Sequence, residues 1–127
     1  MEAFFLFVIP EVPIDIGRNL LFISQIHEMQ KLGYVYIMSN VHRTVLYIGV
    51  TSDLENRVYE HEEGVIDGFT KKYNCHDLIY YEILDDIELA IRREKAMKKW
   101  NRAWKERQIK EMNPDMKRLN DQVFRFN

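Results

Sequence analysis

Five side chains of this 127-residue chain combine type and spacing in a way that a plain fold does not need. Tyr36 and Tyr47 sit in two short alternating runs, Arg57 and His61 are one helical turn apart, and Glu94 falls in the middle of an apolar stripe. A guanidinium offsets phosphate charge, a carboxylate holds a divalent cation, and an imidazole or a phenol takes a proton. The chemistry such a set suits is phosphodiester hydrolysis. Burying the Glu94 carboxylate is expensive unless something pairs with it. Two partners remain open, a metal ion and a structural salt bridge, for which Arg57 is a candidate.

The elements that must carry these groups follow from periodicity. In Tyr34 to Met38, Val35 and Ile37 share one face and Tyr34, Tyr36 and Met38 the other. Val45 to Thr51 sorts the same way, with Leu46, Ile48 and Val50 opposite Tyr47, Gly49 and Thr51. The short polar link Ser39 to Thr44 pairs the runs as an antiparallel hairpin, so the two tyrosines share a face. Gly49 on that face leaves room for a ligand backbone. Thr51, Ser52 and Asp53 are N-cap residues, and Leu54, Arg57, Val58 and His61 then form the inward stripe of a helix. A second helix runs from Ile87, capped by Asp85-Asp86, with Ala90, Glu94 and Met97 on one face and the stripe continuing to Asn101 and Trp104.

Tyr34-Val35-Tyr36, Tyr47-Ile48-Gly49 and Arg57 followed by His61 resemble, in order and spacing, the motifs of the GIY-YIG endonuclease superfamily. The resemblance spans about Gly33 to Leu119 and is closest to small stand-alone members. It implies a DNA endonuclease, with a place in DNA repair or recombination. Tyr36 would activate the attacking water, Tyr47 would position phosphate, Arg57 would contact the scissile phosphate and His61 would assist as proton acceptor. Glu94 would hold one Mg²⁺ or Mn²⁺ ion. A phenol near pKa ~10 needs a nearby cation to depress it before it serves as a base. The asparagine that many relatives place beyond the glutamate has two matches, Asn101 and Asn113, of which Asn113 in Asn113-Pro114 fits better. Tyr34 replaces the first motif's glycine, with its side chain expected to point outward. The competing reading is a nucleic-acid-binding module that keeps this fold without cleaving.

Composition bounds the rest. At 46% hydrophobic and 30% charged the chain makes one domain with a modest core. The expected class is α+β, a three-stranded antiparallel sheet flanked by helices in the order β-β-α-β-α-α, over residues 29–119 with a tail at 120–127. A lone cysteine, Cys75, allows no internal disulfide and fits a reducing cytoplasm. The net charge of −2 conceals an asymmetry: Asp53 to Glu88 carries 3 basic and 11 acidic residues, Arg92 to Arg118 carries 11 basic and 4 acidic. Lys98, Lys99 and Lys105 in the basic third are candidates for DNA phosphate contact outside the site, with a solvated helix face as the plain alternative.

Residues 1–28 open with the apolar Ala3 to Pro10, too short to span a bilayer and headed by Glu2 where a secretory signal would be basic. They read as a poorly ordered extension or a start-site artefact ahead of Met29, or else as an arm covering an edge strand. Glu62 to His76 reads as a loop in which Thr70, Lys71 and Lys72 offer phosphate contacts, or in which Phe69 and Tyr73 merely anchor a solvated turn. Leu78 to Leu84 is a third strand, apolar enough to sit centrally. Lys98 to Lys110 reads as a helix that buries Trp100 and Trp104. His27, His42 and His76 stand without a partner pattern at the surface. No zinc spacing, P-loop or dinucleotide fingerprint occurs.

Overall fold

In the computed structural model, which describes residues 31–124, the two alternating runs pair as the hairpin their periodicity demands. Strand β1 (Gly33–Ser39) and strand β2 (Leu46–Thr51) are antiparallel, with Tyr36 opposite Gly49 and Met38 opposite Tyr47. The expectations for residues 1–28, and for the end of the tail at 125–127, lie outside the described residues. Helix α1 (Leu54–Glu63) follows, then a short helix α2 (Phe69–Lys72), strand β3 (Asp77–Leu84), and helices α3 (Ile87–Lys98), α4 (Arg102–Met112) and α5 (Asn120–Phe124). The class is α+β with a three-stranded antiparallel sheet, as expected, and two short helices are added to the expected order.

The strand order is β2-β1-β3, so β1 and not the third strand is central. Both faces of β1 are covered. Val35, Ile37 and Ile48 pack with Ala90 and Met97 of α3 and Ile109 of α4, whereas Tyr36 and Met38 pack with Leu54 and Val58 of α1 and with Leu119. Gly33 lets α3 approach: a Cβ there would collide with the Asp86 carbonyl and the Ala90 side chain. On the far side of β1 the pairing with β3 slips between Ile37 and Met38, so that Ile37 faces Tyr80 and Met38 faces Leu78. Ile79 is the extra residue of a β-bulge, and Ile79 and Tyr80 consequently both join the α3/α4 core. Strict alternation would have parted them. Tyr34 does not point outward to water; it is half-buried against the α1-side core.

Caps place the helix ends. Asp53 Oδ1 accepts from Asn56 N at 3.2 Å and Gly64 closes α1 in the left-handed region at φ 71°. Asp86 accepts from Leu89 N at 2.8 Å to start α3. The expected continuous helix through Lys98 to Lys110 is broken, because the Asn101 side chain accepts from Trp104 N at 2.9 Å and starts a separate helix. The break changes the tryptophans. Trp100 is half-buried with the Arg93 guanidinium 5.1 Å from its ring, but Trp104 is 51% exposed, not core.

Two buried asparagines tie down the C-terminal segment. Asn113 Nδ2 donates to the Ile79 and Lys117 carbonyls at 2.9 and 2.8 Å, and its Oδ1 accepts from Lys117 N at 3.1 Å. Asn120 accepts from Leu78 N at 2.7 Å and donates to the His76 carbonyl at 3.0 Å. Val123 and Phe124 pack behind it, so residues 120–124 belong to the packed unit. Asn113→Ala strands a buried carbonyl of β3, and we expect it to cost about 2–3 kcal/mol in urea denaturation. A cost below about 0.5 kcal/mol would free Asn113 from this structural role.

Candidate active site

The Tyr36 ring lies across Gly49 of the neighbouring strand. A Cβ at residue 49 would run into the Tyr36 hydroxyl and its ring carbon, so the space at this glycine is filled by the tyrosine and is not left for a ligand backbone. Held there, the phenol reaches α1. Tyr36 Oη is 3.0 Å from His61 Nε2, and His61 Nδ1 is 3.0 Å from Thr70 Oγ1 of α2. All three residues are buried. The Tyr47 ring closes a triangle, 6.3 Å from that of Tyr36 and 5.7 Å from that of His61.

With the phenol protonated, Tyr36 gives its proton to His61 Nε2, which leaves the phenol oxygen free to accept from a donor, and Arg57 acts on it from nearby as a group that can only donate. His61 Nδ1–H then donates to Thr70 Oγ1. His76 Nδ1 donates to the His61 backbone carbonyl at 2.8 Å, which ties the end of α1 to the start of β3.

Burial pushes the Tyr36 pKa well above the ordinary phenol value, and Tyr47 adds to the rise; Arg57 works against it through charge and hydrogen bonding. Desolvation therefore wins over the cation that was expected to depress this tyrosine. Burial also lowers His61, helped by the positive Arg57 and by His76, to about 4. His61 is thus a neutral, proton-accepting imidazole at neutral pH while Tyr36 keeps its proton.

This lowering has a measurable consequence. The unfolded chain takes up the His61 proton near the ordinary 6.5 and the folded chain only near 4, so between those values the unfolded state binds more protons. Stability should fall as pH drops through that window, by up to about 3 kcal/mol. His61→Gln should remove this component. Urea denaturation at about pH 7 and about pH 4.5 measures it, and equal pH-dependence in both proteins would show that His61 is not held neutral by the fold.

Glu94 is buried at 9% exposure, and Lys98, one turn on, reaches its Oε2 at 2.7 Å. Arg57, the expected salt-bridge candidate, instead pairs with Glu60 at 3.2 Å. Lys98 was expected outside the site and lies on the carboxylate. Among the described residues no cluster of three or more His, Cys, Asp or Glu is placed to hold a metal ion. A hard cation would therefore rest on a lone carboxylate, with water and phosphate oxygens completing its shell, and Glu94 fits that habit of Mg²⁺.

The other sequence candidates separate. Thr70 is buried on His61 rather than free for phosphate, and its signal was invisible because nothing in the sequence shows that residue 70 folds back onto α1. His76, read as a surface residue, is half-buried on the His61 carbonyl. Lys71 is exposed with Asp67 at 3.4 Å, Lys72 lies 5.3 Å from the Tyr73 ring centre, Lys99 is exposed and Lys105 is half-buried. Asn101 and Asn113 cap and staple, as described above. No described helix is long and apolar enough to cross a membrane.

A family model described as the GIY-YIG catalytic domain matches residues 32–108. Among curated proteins the chain is 37% identical over 76 residues to a UPF0213 protein of Natronomonas pharaonis, covering 60% of this chain and 88% of that one. It is 36% identical over 84 residues to a UPF0213 protein of Syntrophus aciditrophicus, covering 65% and 94%, and 33% identical over 88 residues to one of Haloquadratum walsbyi, covering 69% and 97%. No solved structure matches the chain.

Proposed function

The chain belongs to the GIY-YIG family, and on that premise we propose that it is a metal-dependent endonuclease that hydrolyses DNA phosphodiester bonds. The observation that carries the reading is the buried chain Tyr36–His61–Thr70 with Arg57 facing the phenol. A fold alone gains little from burying three polar groups and turning a cation on them. A site that must move a proton beside a phosphate needs all four.

Arg57 binds the scissile phosphate and offsets charge as it builds in the transition state. Tyr36 Oη accepts the proton of the attacking water while passing its own proton to His61 Nε2, so the phenol never has to exist as a free phenolate. Thr70 holds the imidazole in the tautomer that leaves Nε2 able to accept, and Tyr47 positions the phosphate. The water oxygen bonds to phosphorus as the P–O3′ bond breaks, and the 3′ oxygen leaves with the electron pair and takes a proton from solvent. Glu94 would hold one Mg²⁺ or Mn²⁺ ion, which when bound supplies positive charge to the phosphoryl and leaving oxygens.

The Lys98–Glu94 pair favours a second reading, a nucleic-acid-binding module without catalysis, in which Glu94 serves only to hold Lys98. Incubation with single-stranded, double-stranded and branched DNA, with Mg²⁺, with Mn²⁺ and with chelator, separates the two. Cleavage that requires the ion supports the nuclease. Tight binding with no product under any ion supports the module.

A further inference from the structure

Next to this site the surface carries aromatic rings that the proposed chemistry does not use. The Phe69 ring stacks on Tyr47 with centres 5.9 Å apart and planes inclined by 28°, and the Tyr73 ring follows at 4.7 Å from Phe69. Phe69 is 47% exposed and Tyr73 41%. A line of three rings thus leads from Tyr47, beside the buried Tyr36–His61 pair, out to solvent.

The anchoring of α2 does not depend on these rings alone: Thr70 and Cys75 are buried, and Cys75 N donates to the Thr70 carbonyl at 2.8 Å, whereas Phe69 and Tyr73 keep about half of their surface in solvent. Exposing two neighbouring large rings is costly without a ligand to cover them. The charge around them indicates its nature. Lys72 Nζ lies 5.3 Å from the Tyr73 ring centre, and exposed Lys71 is held by Asp67 only through a solvated pair of small strength. Gly68, just before Phe69, has open space where a side chain would be. Ring faces flanked by ammonium groups and a bare stretch of backbone match a single strand of nucleic acid, whose bases have free faces and whose phosphates follow alongside.

We infer that Phe69 and Tyr73, continuing from Tyr47, form a stacking platform for unpaired DNA bases adjoining the scissile phosphate. The substrate class is then DNA with a single-stranded segment at the cleavage point, in place of blunt duplex, whose base faces are closed by their own stack. Base identity matters little, since every base presents a π-face. The inference names the substrate of the nuclease proposed above and rests on that reading.

The test measures binding and cleavage separately on the full chain. Fluorescence anisotropy with labelled oligodeoxyadenylate and with blunt duplex is recorded in chelator, so that no substrate is consumed. Phe69→Leu and Tyr73→Leu keep apolar bulk but remove the ring; each should weaken single-strand binding about tenfold and leave duplex binding within about twofold. Phe69→Trp should retain wild-type single-strand binding, which a merely packed Phe69 would not predict. Unchanged single-strand binding in both leucine variants, or an equal loss on duplex, overturns the platform. Cleavage in Mg²⁺ then distinguishes the two failures. Wild-type cleavage with ring-independent binding overturns the platform and leaves the nuclease standing, whereas ring-dependent binding without any cleavage keeps the platform and overturns the nuclease.

Discussion

Glu94→Gln is expected to lower metal-dependent cleavage by about a thousandfold or more, the counterpart of the several kcal/mol that a phosphate-bound cation contributes to a phosphoryl transition state. The amide keeps the shape of the carboxylate and the place of Glu94 among the residues of α3, but it is a poor ligand for a hard cation. The fold should survive. The partner Lys98 is half-exposed, so solvent screens its end of the pair and the pair is worth about 1 kcal/mol, offset in part because the amide is cheaper to bury than the carboxylate. Cleavage progress curves and a urea titration of the same preparation check both halves. Wild-type cleavage by Glu94→Gln would remove Glu94 from ion binding and leave its pairing with Lys98 as its whole use. Lys98→Met completes the pair of measurements: a lysine that merely touches distant phosphate would leave single-turnover cleavage unchanged, whereas one that sits on the Glu94 carboxylate should change its dependence on ion concentration.

The parts of the site that were legible in the sequence are those fixed by short periodicities. Period two puts Tyr36 and Tyr47 on one face, a one-turn spacing puts Arg57 beside His61, and an apolar stripe exposes Glu94 as an anomaly. Lys98 stands four residues after Glu94 on α3, the same one-turn spacing, but its place in the basic segment drew it towards distant phosphate. Thr70 was not legible, because its role depends on the turn between α1 and α2 folding it back onto His61. The strand order had the same difficulty. The hydrophobicity of β3 reflects a bulge that sends both Ile79 and Tyr80 into one core, and not a central position. Gly49 was correctly singled out as a place where a side chain is missing, but only the register opposite Tyr36 tells what fills the space.

Arg57→Ala and neutralisation of the basic segment should fail in different ways. Arg57 is half-exposed on α1, beside the Tyr36 phenol, where its contact strengthens as negative charge develops on the phosphate. Its loss should reduce single-turnover cleavage by about a hundredfold or more while weakening DNA binding by less than about tenfold. Lys99, Lys105 and Lys110 carry the opposite expectation. None of them contacts Tyr36, His61 or Glu94 among the described residues, and each would meet only phosphates away from the scissile bond. Changing all three to glutamine should weaken binding at low salt and flatten the slope of log affinity against log salt by about 0.9 for each duplex phosphate that is no longer neutralised. Cleavage at saturating protein should stay near wild type. Lys98 is kept out of this set because it is paired with Glu94, and mixing it in would confound a binding effect with a change at the site. Binding titrated over salt, beside single-turnover cleavage, reads both variants. A triple variant with wild-type affinity and salt slope would make the face of α3 and α4 a solvated surface and shift the phosphate path to Lys71 and Lys72, beside the exposed rings of Phe69 and Tyr73.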